Sequence, residues 1–102
     1  MPGPLAGVRI LDFTAMISGP MATMMLADQG ADVIKVEPPT GDLARGFAAP
    51  KGMSGLFLSA NRNKRSLALD LRNPESIRLI RRLLEDVDVL VQNFRPGAME
   101  RM

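Results

Sequence analysis

The chain has 102 residues, 46% of them hydrophobic and 24% charged, with a net charge of +2; this suffices for one small folded domain and is too apolar for a disordered chain. It contains neither histidine nor cysteine, which excludes disulfides, Ser-His and Cys-His nucleophile pairs, and the usual nitrogen and sulfur ligands of zinc. No apolar run approaches the ~20 residues of a membrane span and the Met1–Pro4 start lacks the features of a signal peptide, so the expected location is cytoplasmic.

Gly7 to Phe13 reads as a short, mostly buried strand. Gly19-Pro20 opens a helix running to about Gln29, because proline suits the first turn and Gly30 stops the helix. Asp32 to Glu37 is a second strand, closed by Pro38-Pro39. Pro38 to Ser54 is rich in proline, glycine and small residues and reads as a long loop, a length usually tied to function or disorder. A short apolar turn, Gly55 to Ala60, leads into the basic run Asn61–Arg65, and Ser66 to Leu71 is a third strand.

Asn73-Pro74-Glu75 marks a helix start, with Asn73 as N-cap and proline at the first helical position. Ile77, Ile80, Leu83, Leu84 and Val87 recur at helical spacing, and Arg78, Arg81, Arg82 and Glu85 take the other side. Asp88 to Gln92 is a fourth strand, and Gly97 to Met102 reads as the beginning of another helix. Apolar runs without clean polar alternation, joined by helices, predict an α/β fold with an open, mainly parallel sheet and flanking helices, and an incomplete one, since the chain stops within an element; the family resemblance given below implies that the sheet is Rossmann-like.

Charge is unevenly placed. Residues 1–60 hold four basic and five acidic side chains, residues 61–102 nine basic and six acidic. A patch of this kind attracts anions. Asn61–Arg65 suits a ligand with several phosphates, or it is a solvated surface loop. One short patch, with no tryptophan or tyrosine for base stacking, gives little support to nucleic-acid binding.

The turn Thr14–Pro20 feeds a helix start at the carboxyl end of the first strand, where phosphates bind in open α/β sheets; the alternative is an ordinary connection. A nicotinamide-dinucleotide site, with Glu37 as ribose-binding acid, lacks the glycine fingerprint, because the turn has only Gly19. Asp12 is either a buried carboxylate or a cap for the following turn. The eight methionines read as core filler rather than a cofactor box.

Taken together, Pro4–Gly7 with Val8–Thr14, Ser18-Gly19-Pro20, Gly30–Glu37, Asn63–Ser66, Ala68–Leu71 and Asn93–Gly97 resemble the class III CoA-transferase family over essentially the whole chain. The resemblance implies coenzyme A, as acyl-CoA substrate, at the carboxyl ends of the sheet. Its contacts would be Ala15, Met16 and Ile17, then Asn63, Lys64 and Arg65, then Asn93 and Phe94, and finally Arg101 and Met102. The basic residue that the family often carries after the second strand is Pro38 here.

The family's reaction runs through an aspartate that attacks the thioester and forms a mixed anhydride; it lies beyond position 102, so no residue here takes that role, neither Asp12, Asp70 nor Asp88. The expectation is therefore a fragment, inactive alone, of an enzyme acting on acyl-CoA and a carboxylic acid, a homodimer in full-length relatives, with no metal. Two alternatives stay open: a fragment of a 2-methylacyl-CoA racemase of the same fold, against which Asn93-Phe94 speaks, and a non-catalytic CoA- or nucleotide-binding module.

Overall fold

A computed structural model describes residues 3–46 and 54–102. Its apolar runs form four strands: β1 (Arg9–Asp12), β2 (Asp32–Glu37), β3 (Lys64–Ala68) and β4 (Val89–Val91). All pair in parallel, in the order β3-β2-β1-β4. The expected mainly parallel sheet is thus parallel throughout. Its order is that of a Rossmann half, where the chain reverses direction across the sheet between β1 and β4.

Helices cover both faces. On one, α1 (Ser18–Asp28) sends Ala27 into a cluster with Ile10, Val33 and Ala31. On the other, α3 (Pro74–Leu84) packs Ile80 against Leu11, Phe13 and Val36. Strand residues alternate between faces, so Val33 meets α1 and Val36 meets α3. Along the α1 face the alternation runs Val33, Lys35, Glu37, so the face turns polar toward the carboxyl edge, and all three residues are buried.

The elements differ from expectation where local hydrogen bonds decide. Within the expected loop Pro38–Ser54, Leu43–Gly46 forms a 3-10 turn, and residues 47–53 lie outside the described residues. Gly55–Ala60 is a true helix, α2, because the Ser54 hydroxyl caps it by accepting from Phe57 N–H at 2.9 Å. β3 starts at Lys64 and ends at Ala68, two residues earlier and three earlier than read. Parallel pairing with β2 sets those limits, from Val33 opposite Lys64 to Glu37 opposite Ala68.

The expected helix at Gly97–Met102 is instead a set of turns. Gly97 sits at φ +85, outside helical space, and one i to i+4 bond, Arg101 N–H to Gly97 C=O, follows it.

Asn73 caps α3 as read, its Oδ1 accepting from Glu75 N–H at 2.9 Å with Pro74 behind it. Asn73→Ala is expected to cost ~1 kcal/mol and to lower the melting temperature by about 4–8 °C. A calorimetric melt checks this, and an unchanged midpoint would mean that the cap contributes nothing.

Candidate functional site at the carboxyl edge of the sheet

The chain leaves β1 through Phe13-Thr14 and turns at Ala15–Ile17 into α1. Met16 occupies the left-handed region at φ +74, a conformation that costs a side-chain-bearing residue roughly 1–2 kcal/mol. Gly19 is needed for packing rather than for φ: a Cβ there would lie 2.5 Å from the Thr14 Cβ.

Two buried ion pairs hold this turn from beneath. Asp12 is fully buried and accepts from Thr14 N–H, Thr14 Oγ1, Thr23 Oγ1 and Lys64 Nζ. Lys64 also donates to Pro20 C=O at 2.9 Å and Asn61 Oδ1 at 2.8 Å, so its ammonium is fully engaged and its side chain only 2% exposed. Burial pushes the Lys64 ammonium down, and the Asp12 carboxylate opposes that shift.

The second pair is Lys35–Asp42, at 3.0 Å, with side chains 2% and 1% exposed. Lys35 donates to Thr14 C=O, and Asp42 accepts from Met16 N–H and Ala44 N–H. From above, Asn93 grips Ala15 twice, accepting from its N–H at 3.1 Å and donating to its C=O at 2.9 Å.

The backbone N–H groups of Thr14, Ala15 and Met16 are therefore all bonded to the chain's own side chains. Asn93 also bridges the crevice between the ends of β1 and β4, where ligands of this sheet order commonly enter. The open space lies instead over the ends of β1, β2 and β3. It is a cavity of about 430 Å³, walled by Phe13, Val36, Leu69, Leu71 and Phe94, with Pro38 to Thr40 along one rim and Asp70-Arg72 along another. Phe94 meets Phe13 edge-on, with ring centroids 6.1 Å apart.

A second hollow, about 550 Å³, shares Leu71 and Arg72 with the first and is lined by Arg78, Arg81, Arg101 and Met102. Among the expected ligand residues, the fold thus gathers Ala15 and Phe94 at the apolar cavity, with Asn93 clamping its wall, and Arg101 with Met102 at the adjoining hollow. Met16 lies in the connecting turn, and Ile17 occupies the position before α1, 47% exposed.

Asn63, Lys64 and Arg65 line neither space. β3 runs parallel to its neighbours and begins at Lys64, which puts this trio at the amino end of the strand. Asn63 donates to Asp28, and Arg65 pairs with Asp32 at 2.7 Å. Glu37, weighed for a ribose, is buried with Arg45, Ser66 and the Asp42 amide on its oxygens.

Sequence reasoning passed over Leu69 to Arg72. The carboxyl-end rule, applied to the third strand as well as the first, would have found them. Arg72 pairs only with neighbouring Asp70 among the described residues, and its side chain is 92% exposed.

Residues 5–102 match the family model described as CoA-transferase family III. The chain belongs to that family. Formyl-CoA:oxalate CoA-transferase of Rhodopseudomonas palustris (strain HaA2) is 51% identical, covering 100% of this chain and 25% of that enzyme. Succinyl-CoA:glutarate CoA-transferase of Mus musculus is 47% identical over 97% of this chain and 23% of its own length. The chain thus spans about a quarter of the curated relatives it matches.

Among solved structures, a CAIB/BAIF family protein from Brucella suis superposes with a TM-score of 0.92 at 36% identity, covering 99% of this chain and 28% of that one. Rv3272 from Mycobacterium tuberculosis gives a TM-score of 0.90 at 42% identity, over 97% and 27%.

Two measurements probe the buried groups. Burial alone would raise the Glu37 carboxyl, but bonds from Arg45, the Asp42 amide and Ser66 outweigh it and hold it at about 2, below the ordinary 4.5. Its stabilisation is complete above pH 4.5 and fades as pH falls toward 2. Glu37→Gln should cost roughly 3 kcal/mol at pH 7 and flatten the pH dependence of the urea midpoint in that window; an unchanged acid profile would contradict this.

Lys64→Met strands Asp12 as a buried unpaired carboxylate. It is expected to lose ~3–5 kcal/mol in urea titration, and a loss below ~1 kcal/mol would mean that the pair is not buried as described.

Proposed function

We propose that this chain supplies the CoA-binding part of an acyl-CoA:carboxylate CoA-transferase, with the cofactor lying along the carboxyl edge of β1, β2 and β3. The observation that carries the reading is the continuity, at Leu71 and Arg72, of an apolar cavity with an arginine-lined hollow. CoA has matching parts: apolar surface on its adenine and pantetheine arm, and phosphates between and beside them. An aromatic and aliphatic wall suits the first, and guanidinium groups pair with the second through charge-assisted bonds.

In this reading Ala15, Phe94, Arg101 and Met102 border the ligand directly, with Arg72 at the junction. Met16 and Ile17 follow Ala15 along the rim. Asn93 and Lys64 are positioning residues, Asn93 gripping Ala15 and Lys64 acting through Asp12. Asn63 and Arg65 support them by tying the start of β3 to Asp28 and Asp32.

In the reaction proposed for the whole protein, a carboxylate nucleophile takes the donor's acyl group as a mixed anhydride and releases CoA thiolate, and the thiolate then attacks the nucleophile's own carbonyl and expels the donor as a free carboxylate. The acceptor carboxylate attacks that enzyme thioester, releasing CoA thiolate again, and the thiolate attacks the acceptor's carbonyl in the new anhydride to give the new acyl-CoA and the free nucleophile. This chain's part is to bind and orient CoA. Its own carboxylates do not suit the nucleophilic role: Asp12 is buried under four donors, Asp88 accepts from Arg9 N–H, and Asp70 pairs with Arg72. The nucleophile is proposed to lie outside this chain.

The names of the matched relatives, which are CoA-transferases, favour this over the racemase reading. A homodimer in the cytoplasm is proposed for the whole protein. Calorimetric titration is expected to show CoA binding that Arg72→Ala weakens by about tenfold, the worth of one charge-assisted contact. A transferase assay with oxalate and formyl-CoA is expected to show no turnover by the chain alone. A folded chain that ignores CoA would sink the binding proposal, and genuine turnover would sink the placement of the nucleophile.

A further inference from the structure

Ala15 stands between two peptide groups, and each is held at both of its poles. In the Thr14–Ala15 unit, Lys35 Nζ donates to the C=O at 2.9 Å and Asn93 Oδ1 accepts from the N–H at 3.1 Å. In the Ala15–Met16 unit, Asn93 Nδ2 donates to the C=O at 2.9 Å and Asp42 accepts from the N–H at 3.1 Å. A peptide group is planar, so fixing both poles fixes its rotation about the chain. The left-handed φ of Met16, +74, belongs to this lock. A half-turn of the Ala15–Met16 unit would return residue 16 to negative φ, where side-chain-bearing residues prefer to lie.

The grip on Met16 comes from far along the chain. Asp42 sits on the loop that follows β2, and that loop is itself fastened. Gly41 turns it at φ +84, where a Cβ would lie 2.8 Å from Arg45 Cδ, and Asp42 N–H donates to Glu37 at 2.8 Å. Lys35 and Asp42 border the apolar cavity beside Thr14 and Ala15, yet their side chains are almost fully buried. With so little accessible surface, they act on a ligand in that cavity through the peptide groups they hold.

Resting on the CoA reading, we propose that Lys35 and Asp42 are positioning residues for CoA. Together with Asn93 they lock the two peptide groups at Ala15, and Asp42 does so by holding Met16 in a conformation it would otherwise leave. The turn therefore offers its wall to the ligand in a single orientation. Such a role couples position 42 to position 16. Glycine adopts positive φ without steric cost, so a glycine at 16 needs the grip of Asp42 less than methionine does.

The test measures CoA affinity by calorimetry for the wild-type chain, for Lys35→Met plus Asp42→Leu, for Met16→Gly, and for all three substitutions together. Exchanging both charges for apolar residues avoids leaving either one buried alone, and such exchanges are often neutral to stability; melting profiles check this. The exchange is expected to weaken CoA binding by about tenfold when Met16 is present. Combined with Met16→Gly, it should weaken binding by less than about threefold relative to Met16→Gly alone. Asp42→Asn, which leaves one neutral acceptor for the Met16 amide, is carried with and without Met16→Gly as a milder variant. Its smaller loss should again shrink in the presence of Met16→Gly.

An exchange variant that folds and binds CoA as the wild type does overturns the inference. So does a loss of equal size with and without Met16→Gly, which would mark a role in stability alone. If only Asp42→Asn folds, equal effects in its two backgrounds overturn it in the same way. Each of these results leaves the CoA reading standing, whereas a folded wild-type chain that ignores CoA overturns both.

Discussion

The carboxylate of Asp12 gathers hydrogen bonds from three separate segments: Thr14 beside it, Thr23 on α1, and Lys64 at the start of β3. Because Asp12 ends β1 and is fully buried, these bonds fix the exit of the central strand relative to the helix that covers it and to the far edge of the sheet. A buried pair of this kind is a poor source of stability, since desolvation of the two charges offsets most of their attraction. Its contribution is geometric. An apolar pair of the same volume would fill the space without dictating where Thr14 points.

Asp42 extends the same logic to Met16. Holding a methionine at positive φ costs roughly 1–2 kcal/mol, and a hydrogen bond from its amide to a carboxylate returns about 1.5–3 kcal/mol, so the strained turn is sustained by its neighbours. Lys35 holds Asp42 in place at 3.0 Å while also donating to Thr14 C=O. The sheet face that would ordinarily be oily at this edge is polar for this reason. The opposite face stays apolar from Leu11 to Phe13 and passes without interruption into the proposed ligand cavity.

Element types were legible in the sequence because they rest on local rules: the Asn73-Pro74 start of α3, the apolar runs of the strands, the helix opened by Gly19-Pro20. What the sequence hid was depth. Nothing in Asn61–Arg65 distinguishes Lys64, whose ammonium is sealed beneath the turn, from Arg62 and Arg65, which pair at the surface with Asp28 and Asp32. That difference comes from strand register, since Lys64 and Ser66 share the α1 face and Arg65 takes the other. The same register puts Asn63–Arg65 at the amino end of β3, while Leu69 to Arg72, past its other end, line the apolar cavity. Nor did the sequence reveal that the Asn93 amide closes on Ala15.

The groups that shape the turn are spread along the chain, from Asp12 through Lys35 and Asp42 to Lys64 and Asn93. None can hold the turn until the strands that carry them are in register, so the native turn depends on the assembled sheet. Closing these long loops costs entropy that only the assembled sheet repays. The conformation of Met16 is therefore a report on the completeness of the whole sheet.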